Sequence, residues 1–312
     1  MAPVTGDRDR AQLILVGGLV IAVGLVGLAI VLNSGIYTHN LASRADPTAS
    51  QAVGHTVVVR DSVGGLVEFA VRHHPNDLAA QEANVTDGLP KVSELLARES
   101  SRRSVLTNVT VTATVGGRTV QQTGDRVFTD GAGAEDWEVA DDAGGVRSFR
   151  MDVERDSLNE SSPPLQGGVF NVTFDSGGGD VVVSIYEDGG ATGVMVTDEA
   201  AGRSFGPCTD TSGSWTGIDL TGATVAGEHC AALERLDGLS PPFDVEFADA
   251  ANVSGTYSLV VDTIDLGNVV PVGNSGPSAL ETLYGVRVEV RFQSQRVDYR
   301  TTIEVAPGEP DG

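Results

Sequence analysis

Twenty consecutive residues from Leu13 to Leu32, LILVGGLVIAVGLVGLAIVL, carry no charged or hydrogen-bonding side chain. A helix rises 1.5 Å per residue, so this run reaches about 30 Å, the thickness of a bilayer's hydrocarbon core. A helix buried in a soluble core would show a polar stripe over five turns, and this one shows none. The run therefore predicts a transmembrane helix over 13–32, preceded by a short leader over 1–12 and followed by a polar linker over 33–51 that is broken at Pro47.

Past the linker, apolar positions recur at helical spacing. Val58, Val59, Val63, Leu66, Phe69 and Ala70 mark a helix from Ala52 to about His73. Val92, Leu95 and Leu96 mark a second between Asp77 and Arg103, with a break expected at Gly88-Leu89-Pro90. Together they predict a helical stalk or subdomain over 52–104 beside the membrane. From Val105 the period changes to two, and Gly116-Gly117 offers a hairpin turn. Further strands are expected at 146–153, 168–174, 181–186, 193–197, 243–247, 256–262, 285–293 and 297–305, with one helix at 226–236. The fold class that results is α+β: an N-terminal transmembrane helix, a membrane-proximal helical segment, and a β-rich, sandwich-like extracellular head over 105–305. Residues 306–312 read as a disordered tail.

Charge narrows the setting. The chain holds 43 acidic and 20 basic residues, a formal net charge of −23, and Lys91 is its one lysine. Phosphate binding needs a basic surface, so nucleic acid is excluded as a partner. Dense carboxylates keep a surface hydrated and mutually repelled where molar salt screens charge to within about 3 Å, and the composition resembles that of extreme halophiles.

Placement outside the cell rests on five N-x-S/T sequons, at Asn84, Asn108, Asn159, Asn171 and Asn252, among ten asparagines. Chance would place about one or two. Flanking charge adds a slight bias toward an inside N-terminus, from Arg8 and Arg10. Cys208 and Cys230 are a candidate disulfide, since oxidation is favoured outside the cytoplasm. Within the apolar run, Gly17 and Gly24 share a face and Gly18 with Ala22 forms a small-xxx-small pair, so other membrane helices are candidate partners beside the lipid bilayer.

The opening DRDRAQLILVGGLVIAVGLVGLAIVLNSGIYTHNLASR resembles that of uncharacterised haloarchaeal membrane-anchored surface proteins, and the class III signals of archaeal pilins and flagellins. In such signals a charged leader ends in Arg/Lys-Gly/Ala before a Gln and an apolar helix. The resemblance implies processing between Ala11 and Gln12, and pilus components as partners. It spans about forty residues, and the early Glu common in pilin signals is absent here.

No catalytic constellation stands out. Gly202-Arg-Ser204-Phe-Gly206 fits G-x-S-x-G, but Pro207 follows where a helix should begin. Adjacent His73 and His74 point apart on a helix. Asp175 and Asp180 flank a glycine loop as a candidate calcium pair without EF-hand spacing. Trp137 and Trp215 are expected to anchor the core. No cofactor motif is present. The reading is a single-pass cell-surface protein with a structural or interaction role; the alternative is an anchored extracellular enzyme or ligand-binding module.

Overall fold

A computed structural model describes residues 47–102, 104–163, 165, 167–262, 276–295 and 297–308. The apolar run 13–32, the junction Ala11–Gln12 and the packing positions Gly17, Gly18, Ala22 and Gly24 lie outside the described residues. Among the described residues, no helix is long and apolar enough to cross a membrane.

Helix α1 (Pro47–His73) and helix α2 (Leu78–Ser101) are joined by a short turn with Asn76 in the left-handed region. Asp77 caps α2 by accepting from the Ala80 N–H at 3.0 Å, which satisfies one of the donors that a helix start leaves over. The buried stripe of α1 is Val59, Val63, Val67 and Ala70; Val58 and Phe69, expected on that face, are about half exposed. Along α2 the buried positions are Gln81, Val85, Leu89 and Ser93, spaced by four, and Ser100 near its end, while Leu95 is exposed. The expected break does not occur. Pro90 sits on the solvent side and the helix runs through it, and Gly88 lets the helices approach, since a Cβ there would meet the Leu66 side chain at 2.8 Å.

The strands form two antiparallel sheets. The first, in spatial order, contains β10 (Glu228–His229), β9 (Thr224–Val225), β8 (Trp215–Asp219), β3 (Val146–Glu154), β12 (Ser254–Val261), β1 (Leu106–Val127), β13 (Ser278–Gln293) and β14 (Asp298–Val305). The second contains β2 (Trp137–Ala143), β11 (Phe243–Ala248), β4 (Phe170–Asp175), β5 (Val181–Asp188), β6 (Ala191–Asp198) and β7 (Arg203–Asp210). The fold is thus α+β with a β-rich, two-sheet head. Phe128, Phe149 and Tyr257 from the first sheet interlock with Phe170, Phe174 and Phe247 from the second in edge and stacked contacts. This aromatic cluster centres one core. A second core lies between α1, α2 and the valines of β1, β13 and β14.

Gly116-Gly117 is not a hairpin turn. Both residues lie inside the single long strand β1, paired with Leu283 and Thr282. Glycine is required at 117 by close approach, because a Cβ would stand 2.2 Å from the Val261 carbonyl oxygen. Opposite it, β13 carries a bulge: Val115 pairs with Gly285 and Gly116 with Leu283, so Tyr284 is an extra residue. An extra residue reverses the alternation of faces. Leu283 reaches the helix-side core before the bulge, and Val286, Val288 and Val290 reach it after.

The backbone groups the bulge would leave unpaired are met by side chains. Gln81 of α2, fully buried, accepts from the Leu283 N–H at 2.6 Å and donates to His74 O at 2.8 Å. Arg147 of β3, 8% exposed, donates through Nη1 to the carbonyls of Leu283 at 2.8 Å and Tyr284 at 2.9 Å. Burial lowers the Arg147 pKa from its ordinary value, as desolvation disfavours the charged form.

The helix expected at 226–236 is instead a tight turn with Ala226 and Gly227 both at positive φ, followed by Cys230 and a 3-10 turn at Leu233–Gly238. Two consecutive left-handed residues close a two-residue hairpin and exclude a helix start. Ala306–Gly308 form a turn, with Gly308 close enough to Arg147 O that a Cβ would fall 2.7 Å from it, and 309–312 lie outside the described residues.

Replacing Gln81 with Ala leaves the Leu283 N–H buried without a partner, and is expected to cost about 1–3 kcal/mol in denaturant unfolding. Leu95→Ala, on the exposed side of the same helix, is expected to change stability by less than about 0.5 kcal/mol. Equal effects would contradict the clamp.

Candidate functional site

A mostly apolar cavity of about 210 Å3 lies at one end of the two-sheet head. Phe149 of β3, Phe174 of β4 and Phe243 of β11 supply its inner wall, and Leu220, just past β8, closes one side. Leu236 and Leu239 cover it from the connection between Cys230 and Phe243. That connection is held at both ends: Cys230 is bonded to Cys208 of β7, with Cα atoms 5.9 Å apart, and Phe243 opens β11. Leu233, fully buried, pins its middle.

Polar groups gather at the mouth. The β2–β3 turn is fixed by Asp262, whose Oδ1 accepts from the N–H groups of Gly144 at 2.8 Å and Gly145 at 2.9 Å. A Cβ at Gly144 would lie 2.5 Å from that carboxylate. Burial raises the Asp262 pKa, against the lowering effect of those N–H bonds. Thr221 accepts from Phe149 N–H at 3.2 Å and donates to Asp219 at 3.0 Å, so its hydroxyl is committed to the fold. Asp237 is exposed on the rim. The arrangement can shelter an apolar group. It contains no nucleophile with an adjacent base.

At the opposite end a buried polar network joins the two sheets. Asp210 accepts from the Ser212 N–H and hydroxyl and from Thr216 of β8, and Thr216 Oγ1 also bonds Thr192 Oγ1 of β6 at 2.8 Å. Thr192 and Thr216 are fully buried. The Ser212 hydroxyl holds the Asp210 carboxyl below its ordinary pKa, aided by the Ser212 N–H, Thr216 and Arg155 and opposed by burial.

The residues singled out from the sequence are dispersed. Ser204 lies on β7 and shares a hydrogen bond with the Thr197 hydroxyl across the hairpin, 3.1 Å away. His73 stacks on Phe69 and contacts its carbonyl. Asp175 and Asp180 are brought together and share a hydrogen bond; burial, with Asp175 and Glu199 nearby, raises the Asp180 pKa. Among the described residues no group of three or more metal-ligating side chains forms. Trp137 donates to Phe128 O at 2.9 Å and packs edge-on against Phe247. Trp215, expected in the core, is 42% exposed.

Three sequon amides serve the fold. Asn159 and Asn252 both donate to Gly168 O, and Asn171 donates to Val169 O while accepting from Ser184. Asn108 is exposed on β1 and Asn84 half-buried on α2. The cavity, the Asp210 network and the Gln81–Arg147 clamp went unread in the sequence. For the clamp a signal existed: Gln81 and Ser93 occupy the every-fourth-residue stripe where apolar residues belong.

The class these features define is an antiparallel two-sheet head joined to a helix-and-strand base. Residues 7–130 match the sequence model of a family of unknown function, DUF7261. No curated protein and no solved structure matches the chain. The matched stretch takes in the apolar run, both helices and the whole of β1.

Because the Asp210 pKa is depressed in the fold, its contribution to stability is present above the unfolded value near 3.9 and is lost as pH falls through the folded one. Asp210→Asn is therefore expected to be less stable than the wild type at pH 7, with the gap closing below about pH 4 in thermal unfolding. A gap independent of pH would contradict this assignment.

Proposed function

We propose that the chain is a single-pass surface protein of a halophilic archaeon, anchored by the helix at 13–32, with its β-rich head outside the cell and a structural or interaction role. The observation that carries this reading is the uncharged twenty-residue run followed by a head with surface sequons and a disulfide. The pilin-like opening supports assembly with other membrane helices through Gly17 and Gly24, and processing between Ala11 and Gln12. The family match supports it in extent, since it joins the apolar run to the helices and β1 as one stretch.

The second sheet supports the salt environment. Glu246 lies directly opposite Glu138, and Asp244 opposite Asp175. Like charges in cross-strand pairs are destabilising unless screened. Burial, then Asp175, Glu138, Asp244 and Asp180, raise the Glu246 pKa. A carboxyl with a raised folded pKa opposes folding once pH exceeds its unfolded value near 4.3. At pH 7 in low salt, Glu246→Gln is therefore expected to raise Tm by about 1–4 °C. The gain should fade in molar KCl and vanish below about pH 4. A gain that persists undiminished in molar salt would count against the screening argument.

The placement is tested by protease treatment of intact cells followed by membrane fractionation. Loss of the head with retention of a short membrane-bound fragment is expected, and a head protected until lysis would overturn the reading. Glycan mapping by mass spectrometry is expected to find Asn108 occupied ahead of Asn171, whose amide is enclosed by Val169 and Ser184.

A further inference from the structure

We propose that the cavity at the end of the head is a binding site for a small molecule with an apolar body and a cationic amine head. This goes beyond the anchoring reading and does not depend on it.

The first ground is shape. Protein interiors are closely packed, and an apolar concavity of this size open at one end of the head departs from that packing. Its wall is rigid aromatic and aliphatic: Phe149, Phe174, Leu220, Leu239 and Phe243 all face it. An apolar lining of this composition offers water few hydrogen-bond partners.

The second ground is that the cavity does not collapse. The covering connection is bonded to β7 through Cys230 and Cys208, is buried at Leu233, and continues directly into β11. With both ends fixed, Leu236 and Leu239 have little freedom to settle inward. Pre-formed apolar concavities with a few polar groups at the mouth are the usual form of small-molecule sites.

The third ground selects the chemistry. The mouth carries the Asp237 carboxylate on its rim, in a chain of net charge −23. Both Gly144 and Gly145 N–H groups are already taken by Asp262. The mouth therefore offers acceptors and repels anions, and a ligand head that is cationic and donates hydrogen bonds fits it. The volume suits a six-carbon body.

The test is calorimetric titration of the full chain, at the lowest salt that keeps it folded, with hexylammonium, hexanol and hexanoate. Hexylammonium is expected to bind about three- to fivefold tighter than hexanol, the scale of one partly exposed ion pair, and hexanoate most weakly. Asp237→Asn, an exposed substitution, is expected to level hexylammonium and hexanol. Leu239→Trp, which fills the cavity, is expected to abolish binding of all three. Binding of hexylammonium that survives Leu239→Trp in a folded variant would place the ligand elsewhere and overturn the proposal. So would no binding by any probe, or equal affinities for hexylammonium and hexanol in the wild type.

Discussion

The bulge at Tyr284 is the constraint on which the rest of this structure depends. Strands β1 and β13 must serve two cores, the helix-side core along one stretch and the aromatic core of the head along another. A regular strand keeps one face throughout. Inserting Tyr284 resets the alternation so that Leu283 reaches the same helix-side core as Val286, Val288 and Val290, and leaves the backbone groups around Leu283 in need of partners. Gln81 comes from the helix side and Arg147 from β3, so the irregularity is satisfied by one residue from the base and one from the head. Gly117 then admits the Val261 carbonyl alongside. Removing any of these would leave an unmet polar group or a steric clash at the junction of the two cores.

This arrangement couples the head to the base. A head on a loose tether would hold its own core, and a head joined through continuous strands shares its stability with the base. Here both long strands run from one core to the other without a connecting loop. Orientation set at α1 and α2 is transmitted to the sheets through β1 and β13. The head is stiffened again by the Asp210–Thr216–Thr192 network and, two residues earlier on β7, by the Cys208–Cys230 bond.

Much of the fold was legible in local pattern, because period-two runs such as 146–153 and 181–186 and the valine stripe of α1 report burial directly. What escaped the sequence is what depends on distant partners. Gly116-Gly117 carries a turn signal, yet the pairing of β1 with β13 on one side and β12 on the other makes it mid-strand. Residues 226–236 look helical in composition, and the bond to Cys208 and the turn at Ala226-Gly227 override that preference. Pro90 reads as a break, and its place on the solvent side of α2 lets the helix continue. The cavity could not be read at all, since its walls come from four separate stretches of chain brought together only by the fold.

The most direct test of the account is native-state hydrogen exchange across the two cores. If the clamp makes base and head one cooperative unit, the amides of Val288 and Val290 in the helix-side core and of Val183 and Val194 in the head should exchange with the same free energy, that of global unfolding. Faster exchange of the helix-side amides through a separate opening, with the head still protected, would contradict it.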